Sequence, residues 1–108
     1  MESKDEKVFR GYRNKNQCVV TLNDEPFDPI VFKGLPLRFD WGNNSDEAKQ
    51  LAYAILCEIY DIDIARQLYL NFMEEMIADW YADKWTFPQQ VIQEEMKRIW
   101  NRKFKVAS

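Results

Sequence analysis

The sequence predicts an α+β fold: an N-terminal antiparallel β-hairpin, with room for a third short strand, packed on three C-terminal α-helices. Three observations predict it. Residues 7–41 mix β-forming side chains with turn clusters. Residues 44–104 carry apolar side chains at helical spacing. Strands precede helices instead of alternating with them, which favours α+β over α/β. A length of 108 residues fits one domain spanning 1–108, because two halves would each be too small to bury a core unaided. The charged residues 1–6 read as a disordered N-terminus.

The first strand is read in Val8-Phe-Arg-Gly-Tyr-Arg13 and ends at the turn-prone Asn14-Lys-Asn16. Gln17-Cys-Val-Val-Thr-Leu22 follows and stops at Asn23-Asp-Glu-Pro26, a spacing that suits a hairpin with a short loop. A third extended piece is expected within Ile30–Phe32 or Leu37–Trp41. Pro26, Pro29 and Pro36 keep it short or at an edge. A two-stranded ribbon is marginal in water, so the helices are expected to cover one of its faces.

The first helix is expected to begin after Trp41-Gly42, with Asn44 as N-cap and Glu47 completing a capping box. Ala48, Leu51, Ala52, Ile55, Leu56 and Ile59 then form one apolar stripe. Asp61-Ile-Asp63 interrupts the stripe and offers a new cap. A second helix carries Ala65, Leu68, Tyr69, Phe72, Met76, Ile77 and Trp80 inward, with Glu74, Glu75 and Asp79 outward, and fades near Asp83. A third helix is read from Thr86-x-x-Gln89, with Pro88 in its first turn and Val91, Ile92, Met96, Ile99 and Trp100 on its apolar side. Lys97, Arg98, Arg102, Lys103 and Lys105 crowd its end, where the helix dipole favours cations.

Composition excludes several function classes. The chain has no histidine, which removes the commonest general base and any Ser-His-Asp or Cys-His arrangement. The two cysteines, Cys18 and Cys57, are too few for a zinc site without histidine. They read as reduced, packed thiols, which with the lack of an apolar leader points to the cytoplasm. The three glycines, at positions 11, 34 and 42, build no phosphate-binding loop. No segment approaches the roughly 20 apolar residues of a membrane span. A net charge of −3 argues against a generic nucleic-acid binder. The charge is segregated: residues 1–39 carry seven basic and six acidic groups (+1), residues 40–83 two and ten (−8), and residues 84–108 six and two (+4).

Gly11-Tyr-Arg13, Val19-Val20, Phe39-Asp-Trp-Gly42, Gln50-Leu-Ala52 with Ala54-Ile-Leu56, and Leu68-Tyr69 with Phe72 occur in this order. Together they resemble a family of small uncharacterised proteins, known only as a domain of unknown function, from bacteria, phages and mobile elements. The likeness spans roughly residues 7–100 and departs after Trp-Gly, where Asn43-Asn-Ser-Asp-Glu-Ala48 replaces a glycine-rich stretch. The resemblance implies an accessory-gene or mobile-element setting and no activity.

Candidate chemistry is sparse. Glu58, Asp61 and Asp63 cluster at a helix junction, and Asp79 and Asp83 lie one turn apart. Either set has the oxygen ligands a hard cation takes, but neither has EF-hand spacing, and capping or solvation explains them as well. No metal or cofactor is expected. Asp40 and Trp41 precede a helix N-terminus, where an indole can stack on a ligand, yet Asp40, Asp46 and Glu47 would repel an anion and a packing role fits better. The partner-binding candidates are Asp40, Trp41, Glu74, Glu75, Asp79, Arg98, Arg102, Lys103 and Lys105. The expected function is a non-enzymatic interaction or regulatory protein that binds a macromolecule, most readily another protein and less readily a nucleic acid, through a charged face. A defence-nuclease inhibitor is its narrowest form. A histidine-free enzyme using carboxylates and a homodimer sheltering surplus tryptophan are the alternatives.

Overall fold

The computed structural model describes residues 6–15 and 17–104. The expected disorder of the N-terminus falls on residues 1–6, of which all but Glu6 lie outside the described residues, as does Lys105. The fold is α+β. Strand β1 (Val8–Asn14) pairs antiparallel with β2 (Gln17–Leu22), opposing Phe9 to Leu22, Gly11 to Val20 and Arg13 to Cys18. Lys15, in the connecting turn, has φ 57°, a left-handed conformation suited to a tight hairpin.

The third strand is not within Ile30–Phe32 or Leu37–Trp41, which run without regular structure. It is the two-residue β3 (Glu25–Pro26) on the edge of β2. Where the sequence predicts the start of the third helix, at Thr86 and Pro88, the chain forms a fourth strand, β4 (Lys84–Pro88). It pairs antiparallel with β1 and completes a sheet ordered β3-β2-β1-β4. Thr86 is therefore a strand residue and not a cap. Trp85 and Phe87 alternate onto the inner face opposite Gly11 and Phe9, and burying them there outweighs the capping option.

Helix α1 (Asp46–Ile59) is capped by Ser45, whose Oγ accepts from the Ala48 amide at 3.2 Å. Asn44 is not the cap. Asn43 Oδ1 accepts from the Ser45 amide at 3.0 Å and fixes the start one residue later. Glu47 turns to Arg38, 3.5 Å away, so no capping box closes. Helix α2 (Ile62–Glu75) is capped within the expected Asp61-Ile-Asp63 segment, by Asp61, which accepts from the Ile64 amide at 2.9 Å. It stops at Glu75, short of Asp83, and a single 3₁₀ turn at Ile77–Asp79 carries the chain on. Helix α3 (Gln89–Lys103) has Pro88 at its N-cap with no capping side chain, and the Gln89 amide donates instead to the Lys7 carbonyl at 2.7 Å.

α1 is the central element. Every residue from Gln50 to Leu56 is buried, the pattern of a helix enclosed on all sides and not of a one-sided stripe. Gln50, wholly buried, binds the loop between β3 and α1. Its Oε1 accepts from the Phe32 amide at 2.8 Å, and its Nε2 donates to the Phe32 and Pro36 carbonyls, both at 3.0 Å. One side chain thus satisfies backbone groups that a loop without partners of its own would leave bare. A second cluster closes the sheet side. Trp80 stacks on Phe87 with centroids 4.5 Å apart, and Trp85 meets Trp41 edge-on at 5.4 Å. Three tryptophans are enclosed in this way, and Trp100 is 41% exposed.

Candidate protein interface

Two places gather polar and apolar groups into an arrangement with chemical meaning. The first joins β1 to the segment before α1. Arg13 lies on the inner face of β1, and its Nη2 donates to Asp40 Oδ1 at 2.7 Å and to the Trp41 carbonyl at 3.1 Å. Its Nη1 donates to Asp83 Oδ1 at 2.9 Å, and its guanidinium lies 4.9 Å from the Trp41 ring centre. Asp40 also accepts from the Trp41 amide, Asn43 Nδ2 and Cys18 Sγ. Burial disfavours the Asp40 carboxylate, but the bonds from Arg13, Asn43, Trp41 and Cys18 outweigh it and hold the acid below its usual range. The Asp40 bond in turn holds Arg13 firmly protonated. Burial pushes the Cys18 thiol up against the opposing pull of Arg13. A protonated thiol beside a fully engaged carboxylate is neither a nucleophile nor a free base.

Trp41 is 1% exposed, and its Nε1 donates to the Ala82 carbonyl at 3.0 Å. The surface role considered for its ring is corrected on this point, since the indole is core. Gly42 makes the bend that seats it. Its φ is +77°, its amide donates to the Ile77 carbonyl, and a Cβ there would stand 2.9 Å from the Trp80 carbonyl oxygen. The Arg13–Asp40 centre therefore locks sheet to helices.

The carboxylates weighed for metal binding separate. Glu58 faces Lys7 at 3.8 Å, Asp61 caps α2, Asp83 takes Arg13, and Asp79 accepts from the Tyr81 hydroxyl. Among the described residues no three acids or thiols converge as ligands.

The second place lies between α2 and α3. Tyr60, Ile64, Leu68, Met96, Lys97 and Trp100 line a groove of about 200 Å³ whose walls are almost wholly apolar. Tyr60 also lines a neighbouring depression with Ile30 and Ile62, edged by Asp61 and Asp63, and Trp100 packs on Phe104 with centroids 4.3 Å apart. Ile30, Tyr60, Ile62, Trp100 and Phe104 are all more than a third exposed. One apolar strip therefore runs from Phe104 through the groove to Ile30, where isolated exposed side chains would have been unremarkable.

Charge flanks the strip. On α2, Asp63, Glu74 and Glu75 against Arg66 give −2. On α3, Lys97, Arg98, Arg102 and Lys103 against Glu94 and Glu95 give +2. Arg102 pairs with Glu75, and Lys103 Nζ donates to Asn71 Oδ1 at 3.1 Å, so both bridge the two helices. Arg98 pairs with Glu95 on its own helix. Of the expected contact residues, the structure brings Glu75, Arg102 and Lys103 to this face, and Glu74 stands exposed next to Glu75. Asp40 and Asp79 lie elsewhere. Sequence reading missed Tyr60, Ile64, Leu68 and Lys97. The signal was faint: Ile64, Gln67, Asn71 and Glu74 share one helical stripe, but only the packing of α3 makes it a wall.

The fold defines a small α+β protein in which, among the described residues, no group of acids or thiols is gathered to hold a metal ion. The chain belongs to a family of unknown function (DUF6166), which matches residues 9–98. The match takes in the four strands, α1, α2 and most of α3. No curated protein and no solved structure matches the chain.

Proposed function

We propose that this protein is a non-catalytic binding module that engages a protein partner through the α2–α3 face. The observation that carries this reading is the apolar strip centred on Trp100 and Tyr60, left open by a fold that encloses the other three tryptophans. Exposed aromatics beside a pocket, with charge at the rim, are the composition of an interface centre. The narrower reading, an inhibitor that imitates nucleic-acid phosphates, has less support. Asp40 and Glu75 are each engaged by an arginine of the same chain.

Site-specific photo-crosslinking in the cell of origin tests the reading. A photoreactive residue at Lys97 is expected to yield a discrete protein adduct that one at Lys15, in the β1–β2 turn, does not. Ile64→Lys is expected to abolish the adduct. No adduct from Lys97, or one indifferent to Ile64→Lys, overturns the proposal.

A further inference from the structure

The occupant of the groove can be named from the charges beside it. Outside the ion pairs Arg102–Glu75 and Arg98–Glu95, α2 keeps Asp63 and Glu74 against Arg66, and α3 keeps Lys97 and Lys103 against Glu94, with the apolar groove between the two helices. Such a face is complementary to itself, because a twofold axis exchanges its two halves. We infer that the groove is closed by a second copy of this chain, with the axis running along the groove so that α3 of each copy lies over α2 of the other. This rests on reading the α2–α3 face as a protein interface.

The levels of the side chains fit that arrangement. Lys97 lines the groove together with Ile64, the residue that follows Asp63 on α2. Lys103 bonds to Asn71 and so stands level with the turn that holds Glu74. With the axis along the groove, Lys97 of one copy meets Asp63 of the other, and Lys103 approaches Glu74. Each pairing occurs twice by symmetry. The half-exposed Trp100 ring, one helical turn beyond Met96, faces the second copy's groove at its own level, the position of an aromatic anchor. Any partner other than a second copy would need its own matching dipole of charge, whereas this chain already carries it.

Sedimentation velocity across a concentration series tests the inference, with circular dichroism melts checking that each variant folds. The expected result is a monomer–dimer equilibrium that Trp100→Ala weakens by at least about tenfold. Lys97→Glu alone, or Asp63→Lys alone, sets like charges together at both symmetric positions and is expected to weaken self-association by about tenfold. Mixing those two variants restores opposite charges at both positions, and the mixture is expected to dimerise to within about threefold of the wild type. A chain that stays monomeric up to about 1 mM, or a dimer indifferent to all three substitutions, overturns the inference. A monomer whose Lys97 position still crosslinks to a different protein overturns only the self-pairing. A monomer with no adduct overturns the interface as well.

Discussion

Trp85 lies flat against Gly11, its cross-strand partner, so closely that a Cβ at Gly11 would stand 2.3 Å from the ring. The missing side chain on β1 is the space the indole of β4 occupies. Gly11→Ala must push Trp85 out of place. An expected loss of about 1–3 kcal/mol follows from overpacking, read by urea denaturation. The Gly11→Ala/Trp85→Leu double variant is expected to lose less than the sum of the two singles, since a smaller side chain admits the methyl. Strict additivity would show that the two residues do not compete for one volume.

Gln50 carries a different kind of obligation. Gln50→Leu keeps the size of the side chain but leaves the Phe32 amide and the Phe32 and Pro36 carbonyls without their partner. A loss of about 2–3 kcal/mol is expected, together with faster hydrogen exchange at the Phe32 amide. Gln50→Glu is expected to be no better, because a carboxylate accepts from the amide but cannot donate to the carbonyls. Unchanged exchange at Phe32 would mean that the loop is held by something else.

Asp40 makes stability depend on acid. Its folded pKa is depressed, so the unfolded chain takes up a proton first as pH falls. The stabilisation is present in full above the unfolded carboxylate range, about pH 4. It is lost as pH drops from there through the lower folded value. Asp40→Asn is expected to be less stable than wild type at pH 7 and to show a shallower decline below about pH 4. Parallel acid curves for the two proteins would place the Arg13 contact outside the stability of the fold.

Both thiols are held in the protonated form. Burial raises Cys18, and burial likewise raises Cys57 against the hydrogen bond of Tyr53. Each is expected to react with a disulfide reagent at pH 7.5 more slowly than a free model thiol, which titrates near 8.5. Urea is expected to bring both to the model rate. A fast-reacting cysteine in the folded protein would contradict the structure at that position.

The helices were legible because their signals are local. Asp61 caps α2 where the sequence places it, and the stripe from Ala48 to Leu56 marks α1. β4 was not legible, although Trp85 and Phe87 alternate as strand residues do. Thr86 and Gln89 compete as a capping pair, and the deciding partners, Gly11 and Phe9, come from the other end of the chain. Gln50 was visible only through the family pattern and not as a clamp, because the carbonyls it serves belong to an irregular loop. Asp40 and Trp41 stood out as a segment, whereas Arg13, which binds them, was visible only through the family pattern. The groove escaped notice because Ile64 and Leu68 look like any apolar stripe until α3 is laid beside them.

The strand that closes the sheet is also the last to be made. β1 sits between β2 and β4, and β4 follows both long helices that separate it from the hairpin. During synthesis, β1 emerges early and waits with one hydrogen-bonding edge bare until Lys84–Pro88 leaves the ribosome. Loop-closure entropy then has to be overcome across most of the chain before that edge is quenched. A product truncated ahead of Lys84 keeps the edge open and is a template for edge-to-edge aggregation.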